Sequence, residues 1–99
     1  MRRIHIAQLD KARPVLILTR ELVRPYLPRV TVAPITTTIR GLSTEVPVDG
    51  DNGLDHDGVV SCDNIVTVPT STLGGHIGYF LPRQEPALAE AIRTAFDLA

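Results

Sequence analysis

Short apolar runs of strand length, each bounded by proline, glycine or polar residues, constrain the fold of this chain most. Pro14–Thr19 is a continuous apolar run that favours a central strand buried on both faces. Ile4–Leu9 alternates, and only Asp10–Arg13 separates the two runs, which is hairpin spacing. Aromatic residues are 4% of the chain, so the core must consist of Val, Ile and Leu. The sequence therefore predicts a β-rich fold.

Further strand patterns follow along the chain. Val30–Ile35 is β-branched and alternating, and Pro34 within it predicts an edge or a bulge there. Thr44–Val48 predicts a short strand before a dense turn signal at Asp49–Gly53. Val59–Val68 is the longest remaining strand pattern. Two segments are weaker: a loop with one helical turn is expected over residues 20–29, and a curved strand over residues 76–81.

One helix is predicted at the end of the sequence, from about Glu85 to Leu98. Pro86 is tolerated near its start, because the missing N–H would be unpaired there anyway. The helix presents a single apolar stripe, formed by Leu88, Ile92, Ala95 and Phe96. Five or six short strands and a terminal helix predict a mainly β fold, a small barrel capped by that helix. The length of 99 residues fits one domain covering residues 1–99.

The net charge of −1 conceals an uneven distribution. Residues 1–42 carry eight Lys/Arg and two Asp/Glu, whereas residues 43–99 carry two and nine. A basic face built from the first half would suit nucleic acid, and the acidic half would suit a basic partner; if the fold interleaves the halves, the charges neutralise locally. The single Cys62 excludes an intrachain disulfide, and no apolar run approaches the roughly 18 residues of a membrane span. We expect a cytoplasmic protein without a membrane segment.

Polar clusters stand at the ends of, or inside, the apolar runs. An arginine precedes Pro14, where extended backbone fixes its direction and its guanidinium suits a phosphate. Three threonines and a second arginine follow Pro34, and a carboxylate–amide pair interrupts Val59–Val68. Such groups hold phosphates and base edges, which predicts an RNA-facing site. The candidate residues are Arg13, Thr36, Thr37, Thr38, Arg40, Asp63 and Asn64.

Each cluster also has a purely structural interpretation. Arg13 fits a surface arginine in a hairpin, the threonines fit β propensity, and the Asp–Asn pair fits a bulge or a dimer contact. A metal site is not predicted, because the acidic loop that starts at Asp49 has Val60 where a calcium loop needs its twelfth-position acid. His5 is held in reserve as a general base, while Cys62 beside a carboxylate is a poor nucleophile.

Taken together, these clusters resemble the MazF/PemK family of toxin endoribonucleases. The resemblance covers nearly the whole chain. Its strongest points are Arg13–Leu18, Ala33–Thr36 and Val60–Ile65, in that order and spacing. It implies a small SH3-like barrel of the CcdB–PemK type, a homodimer, and cofactor-free, metal-independent cleavage of single-stranded RNA at short sequences. It also implies a cognate antitoxin whose disordered acidic tail lies across the RNA site.

The resemblance assigns roles by position. The arginine before the proline falls on Arg13 and the catalytic Thr/Ser on Thr36, while the pair lining the RNA groove falls on Asp63 and Asn64. Relatives usually have a longer first hairpin with a glutamate ahead of the arginine. Here Leu9–Ala12 runs almost directly into that arginine, so the glutamate that some relatives use as a base has no counterpart.

Two other functions compete with the nuclease. CcdB-like toxins use the same barrel and act on gyrase through the C-terminal helix, without cutting RNA. A non-catalytic nucleic-acid-binding barrel would need aromatic residues for stacking, and the four available ones are dispersed. The pairing of Arg13 with Thr36 favours the nuclease, because a gyrase poison needs no such site.

Overall fold

The computed structural model describes residues 1–99 and consists of seven strands and one α-helix. The strands are antiparallel to their neighbours, and short 3₁₀ turns connect several of them. The elements are β1 (Arg2–Gln8), β2 (Ala12–Ile17), β3 (Arg29–Thr36), β4 (Glu45–Val48), β5 (Gly58–Ser61), β6 (Val66–Pro69), β7 (Leu73–Phe80) and α1 (Glu85–Ala95). The predicted mainly β class with a C-terminal helix is confirmed.

The strands form one curled sheet in the order β4-β5-β3-β2-β1-β7, in which β6 also pairs with β3. Strand β3 is the hub of this half-barrel. Its first half, Arg29–Val32, pairs with β6, and its last residues, Ile35 and Thr36, pair with β5. On its other edge, β3 pairs with residues Val15 to Ile17 of β2. This change of partner within one strand bends the sheet around the core.

The two faces of β2 are buried in two separate apolar clusters, as the continuous run predicts. Leu16 belongs to the larger cluster, which α1 covers with Leu88 and Ala91. Val15 and Ile17 belong to a smaller cluster on the opposite face. All three β2 residues are at most 2% exposed. The helix α1 packs on the sheet through a single apolar stripe. Burial of apolar surface stabilises both clusters, by roughly 25 cal/mol per Å² of apolar surface buried.

Pro34 lies in a central strand, and the edge or bulge that the sequence predicts there is present only locally, as an interruption of the pairing on one side of β3. On one edge of β3, Pro34 is paired with Val15 of β2. On the other edge, the pairing with β6 ends at Val32 and the pairing with β5 begins at Ile35, so Pro34 lies between the two partners. On that side no strand faces the proline, so its missing N–H costs no ladder hydrogen bond. The proline therefore marks the change of partner within a central strand.

The predicted long strand Val59–Val68 is broken in two. A 3₁₀ turn, Cys62–Asn64, separates β5 from β6. The physical reason is that polar side chains of this segment form hydrogen bonds with nearby side chains. Asn64 Nδ2 donates to Ser61 Oγ at 2.8 Å, and Asp63 accepts a hydrogen bond from Thr44. Such bonds compete with a regular ladder.

The final strand and the helix also differ from their predicted bounds. β7 begins at Leu73 and not near residue 76, because its glycines serve packing as well as turns. A Cβ at Gly78 would overlap the backbone carbonyl of Asn52, whose buried side chain in turn donates to the Tyr79 carbonyl at 2.9 Å. The helix ends at Ala95, before Asp97 adopts a positive φ of 53°.

Candidate functional site

A cleft of about 810 Å³ opens where the β1–β2 turn, the segment after β3 and the turn after β5 meet. All seven candidate residues from the sequence line it: Arg13, Thr36, Thr37, Thr38, Arg40, Asp63 and Asn64. Residues from three distant parts of the chain therefore share one cavity. The structure brings together every predicted site residue.

Arg13 and Thr36 project from neighbouring strands into this cleft. The register that pairs Val15 with Pro34, continued by two residues, sets Arg13 opposite Thr36 on the same face of the sheet. One guanidinium nitrogen of Arg13 donates to Asp10 Oδ2 at 3.1 Å. Its Nε is buried and has no hydrogen-bond partner. The Arg13 side chain thus lines the cleft, and the protein supplies no acceptor for its Nε–H.

The three threonines form a tight turn at the end of β3. Thr36 is half-buried, and its Oγ1 accepts a hydrogen bond from the backbone N–H of Thr38 at 3.1 Å. That contact orients the hydroxyl and leaves its own proton available to a ligand. Thr37 and Thr38 are exposed. Only the first threonine therefore combines a fixed orientation with partial burial.

Arg40 lies on a loop that Glu45 organises. One Glu45 carboxylate oxygen accepts from the backbone N–H groups of Arg40 and Leu42, each at 3.1 Å. The side chain of Arg40 makes no ion pair and is exposed at the rim of the cleft. Glu45 is a site residue that sequence reasoning missed, because no local pattern indicates that its carboxylate binds the preceding loop.

Asp63 and Asn64 are held by hydrogen bonds in the turn after β5. Asp63 Oδ2 accepts from Thr44 Oγ1 at 2.6 Å. Asn64 uses one amide N–H on Ser61, while its amide oxygen has no protein partner. Both residues are exposed to the cleft. Asn64 therefore presents a donor and an acceptor of fixed direction, which is what reading a base edge requires.

The cleft is not the basic face that the charge distribution favours. Three cationic and three anionic side chains line it: Lys11, Arg13 and Arg40, with Asp10, Glu45 and Asp63. Each carboxylate already accepts hydrogen bonds from protein groups. Of the two cleft guanidiniums only that of Arg13 is oriented by a neighbouring acid, Asp10, and the arginine surplus of the first half lies elsewhere.

The reserve candidate His5 and the poor nucleophile Cys62 both lie outside the cleft. His5 lies on β1 with Nδ1 3.0 Å from the Gly74 carbonyl oxygen, and it does not line the cleft. Burial, followed by the charge of Asp63, raises the pKa of the Cys62 thiol to about 11. A thiol that keeps its proton is a weak nucleophile.

Nor does the acidic loop gather metal ligands. Asp49 caps a 3₁₀ turn by accepting from the backbone N–H of Asp51 at 2.9 Å, and Asp51 pairs with Arg83. No group of three or more His, Cys, Asp or Glu side chains is positioned to hold a metal ion. Separately, α1 and the shorter turns are too short or too polar to cross a membrane.

Comparison with known proteins identifies the class to which this fold and cleft belong. The family described as "PemK-like, MazF-like toxin of type II toxin-antitoxin system" matches residues 5–96, and the chain belongs to that family. Endoribonuclease MazF3 of Mycobacterium tuberculosis is 74% identical over 98 residues, which cover 99% of this chain and 95% of that protein.

Solved structures agree with this assignment. The Mycobacterium tuberculosis toxin MazF-mt6 superimposes with a TM-score of 0.97 at 72% identity, covering 98% of each chain. An endoribonuclease from a mycobacterial species, solved in complex with its cognate antitoxin, has a TM-score of 0.88 at 28% identity and covers 98% of this chain and 93% of that one. The sequence-based assignment to the MazF/PemK family is confirmed.

Proposed function

We propose that this toxin is a cytoplasmic, metal-independent endoribonuclease that cleaves single-stranded RNA at a short sequence, with residues 1–99 acting as one domain. The observation that carries the proposal is the Arg13 guanidinium, which shares a face of the sheet and a cleft with the Thr36 hydroxyl. Relatives named endoribonuclease at 74% and 35% identity support the same activity.

The proposed reaction uses the RNA, the side chains and solvent water. The ribose 2′-hydroxyl attacks the adjacent phosphorus, the bond from phosphorus to the 5′-oxygen breaks, and a 2′,3′-cyclic phosphate and a 5′-hydroxyl result. The 2′-hydroxyl proton passes to water, because no side chain is assigned as its base, and the departing 5′-oxygen takes up one proton. The protein must hold the in-line geometry and stabilise the charge that develops on the nonbridging oxygens.

The proposed roles follow from the geometry of each side chain. We assign to the Arg13 guanidinium the stabilisation of the phosphoryl charge and the protonation of the departing oxygen; it cannot act as a base, because it carries its proton at any working pH. The Thr36 hydroxyl donates to a nonbridging oxygen. The surrounding residues bind flanking nucleotides through phosphate or base contacts: Thr37, Thr38, Arg40, Asp63 and Asn64. The need for a 2′-hydroxyl excludes DNA.

We further propose a homodimer that is neutralised by a cognate antitoxin with an acidic, disordered tail. A relative of 28% identity was solved with its cognate antitoxin, which supports pairing of this kind. The acidic tail would occupy the RNA cleft, because the same arginines that bind phosphates attract carboxylates.

The proposal is tested by incubating the purified chain with a mixed-sequence RNA in excess EDTA and mapping the products. Cleavage at one short sequence, with 2′,3′-cyclic phosphate ends, is expected. Replacement of the scissile ribose by deoxyribose should abolish it. Undiminished cleavage of the deoxy substrate would rule out attack by the 2′-hydroxyl. RNA binding without cleavage would favour a non-catalytic barrel, and inhibition of gyrase without RNA binding would favour a CcdB-like toxin.

A further inference from the structure

A second cavity, of about 360 Å³, contains the arginine surplus that the cleft lacks. Four arginines line it, against two glutamates, Glu21 and Glu85. We call this the basic cavity; its arginines are Arg2, Arg3, Arg20 and Arg24. Half of the eight basic residues of the first 42 positions are therefore gathered at one place outside the cleft.

The four guanidiniums differ in how far the protein satisfies them. Arg2 is committed: its Nε lies 3.0 Å from both Glu85 carboxylate oxygens, and another nitrogen donates to the Leu18 carbonyl at 2.8 Å. Arg3 has a buried Nε without a hydrogen bond, and its nearest carboxylate, on Glu21, is 3.8 Å away. The protein therefore satisfies the Arg2 guanidinium more fully than the Arg3 guanidinium.

Arg20 and Arg24 have even fewer polar contacts with the protein than Arg3. Neither guanidinium makes a hydrogen bond or an ion pair with the protein. Both residues follow β2, in the segment that leads to the 3₁₀ turn Arg24–Tyr26. Two cations held near a third unsatisfied one repel each other, and an anion between them would relieve that repulsion.

The basic cavity and the cleft lie at opposite ends of one face of β2. Alternation places Arg13, Val15 and Ile17 on that face; the first lines the cleft and the last lines the basic cavity. Four residues of strand separate them, which is about 13 Å at 3.3 Å per residue. Val15 and Ile17 are buried, so an RNA strand that contacts both sites has to pass over the outer surface of the protein.

We propose that the basic cavity is a second phosphate-binding site for the substrate RNA, contacting the backbone of nucleotides beyond the stretch held in the cleft. The proposal rests on the proposed nuclease function and specifies its substrate: RNA longer than the cleavage site. An RNA strand is the occupant that the proposed function supplies, and the arginine fork matches the paired oxygens of its phosphates. Because the same fork also matches a carboxylate, an acidic peptide is the alternative that the experiment has to exclude.

The test compares two unstructured probes, oligouridylates of about 5 and about 15 nucleotides, by fluorescence anisotropy at several salt concentrations. The variant is R20A/R24A, which removes two charges without breaking a protein contact. The matched control is R29A/R93A, which removes two charges outside both cavities. The variant should bind the longer probe about tenfold more weakly and reduce the salt slope by about 1.4, because each phosphate contact to a single strand contributes about 0.7. The shorter probe and the control should be unaffected.

Several outcomes would overturn the proposal: unchanged binding of the longer probe, an equal loss with the shorter probe, or an equal loss in the control. So would a variant that loses affinity for polyglutamate and keeps it for RNA, which would indicate an acidic peptide as the ligand. A changed oligomeric state on gel filtration would indicate a subunit contact instead. If RNA binding depends on Arg20 and Arg24 but the protein cleaves no RNA, only the proposed nuclease function fails. If the protein cleaves RNA but its binding of the longer probe does not depend on these arginines, only the proposed phosphate-binding role of the basic cavity fails.

Discussion

Asp10 holds the guanidinium of Arg13 at 3.1 Å across the turn between β1 and β2. The Asp10 side chain is 73% exposed, and an ion pair so open to solvent contributes at most about 1 kcal/mol. The carboxylate therefore orients the arginine without blocking it. A phosphate entering the cleft can take the place of this acid, because the ion pair is weak and the Asp10 carboxylate is free to turn into solvent.

Replacement of Arg13 by alanine should reduce RNA cleavage by about 10²–10³-fold, which is the usual cost of losing one oriented donor to transition-state charge. Lysine at this position should also be poor, because a point charge does not replace the fork. Single-turnover rates on a cleaved RNA measure both effects. Arg29→Ala, an exposed arginine outside the cleft, serves as the control. If the Arg13→Ala variant cleaves RNA as fast as the parent, Arg13 has no catalytic role and is only a surface residue of the hairpin.

Thr36→Val should lower activity far more than Thr37→Val. Thr36 is the last residue of β3 and is half-buried with its hydroxyl oriented by the Thr38 N–H, whereas Thr37 is exposed in the bend that follows. Valine preserves the shape and removes the hydroxyl. The comparison of kcat and KM for both variants checks the assignment. A larger loss at Thr37 would mean that the turn after β3 presents the other hydroxyl to the phosphate.

Removal of the Glu45 carboxylate should weaken substrate binding through Arg40. Glu45→Ala leaves two backbone N–H groups without their acceptor, so we expect the free energy of unfolding to fall by about 1 kcal/mol. KM should rise more than kcat falls, because the loop orients a binding residue. Glu90→Ala, at an exposed helix position, is the control. A 10²-fold loss of kcat at unchanged KM would instead place Glu45 in the proton transfer.

Stability should fall in alkaline solution because of Cys62. Burial raises its thiol pKa from 9.0 to about 11 in the folded chain, so above about pH 9 the unfolded state loses a proton that the folded state retains. The free energy of unfolding should then decline by up to about 1.4 kcal/mol per pH unit between the two values. Urea titrations of the parent and of Cys62→Ala across this range isolate the effect. An identical pH dependence in both would contradict it.

Antitoxin and RNA should compete for the cleft. Under the proposed function, both ligands use Arg13 and Arg40, and both affinities should weaken steeply with salt through counterion release. A competition titration with an uncleavable single-stranded RNA, at two salt concentrations, measures this. If saturating antitoxin leaves the RNA affinity unchanged, the two ligands do not share the site.

The sequence alone determined the elements and the candidate residues. Apolar runs of strand length predict β1–β5, the single stripe predicts α1, and the polar interruptions indicate Arg13, Thr36 and Asn64. These signals are local, because side-chain periodicity and backbone preference act within a few residues. For the same reason the sequence did not predict the break at Cys62–Asn64, which depends on hydrogen bonds to Ser61 and Thr44.

Only the tertiary structure decided how these pieces meet. The register between β2 and β3 sets Arg13 opposite Thr36, and the change of partner at Pro34 brings β5 and its turn to the same cleft. Folding also distributes the charged side chains unevenly. Cationic and anionic residues are equal in number around the cleft, whereas arginines outnumber glutamates around the basic cavity. Strand pairing joins residues far apart in sequence, so no local pattern contains this information.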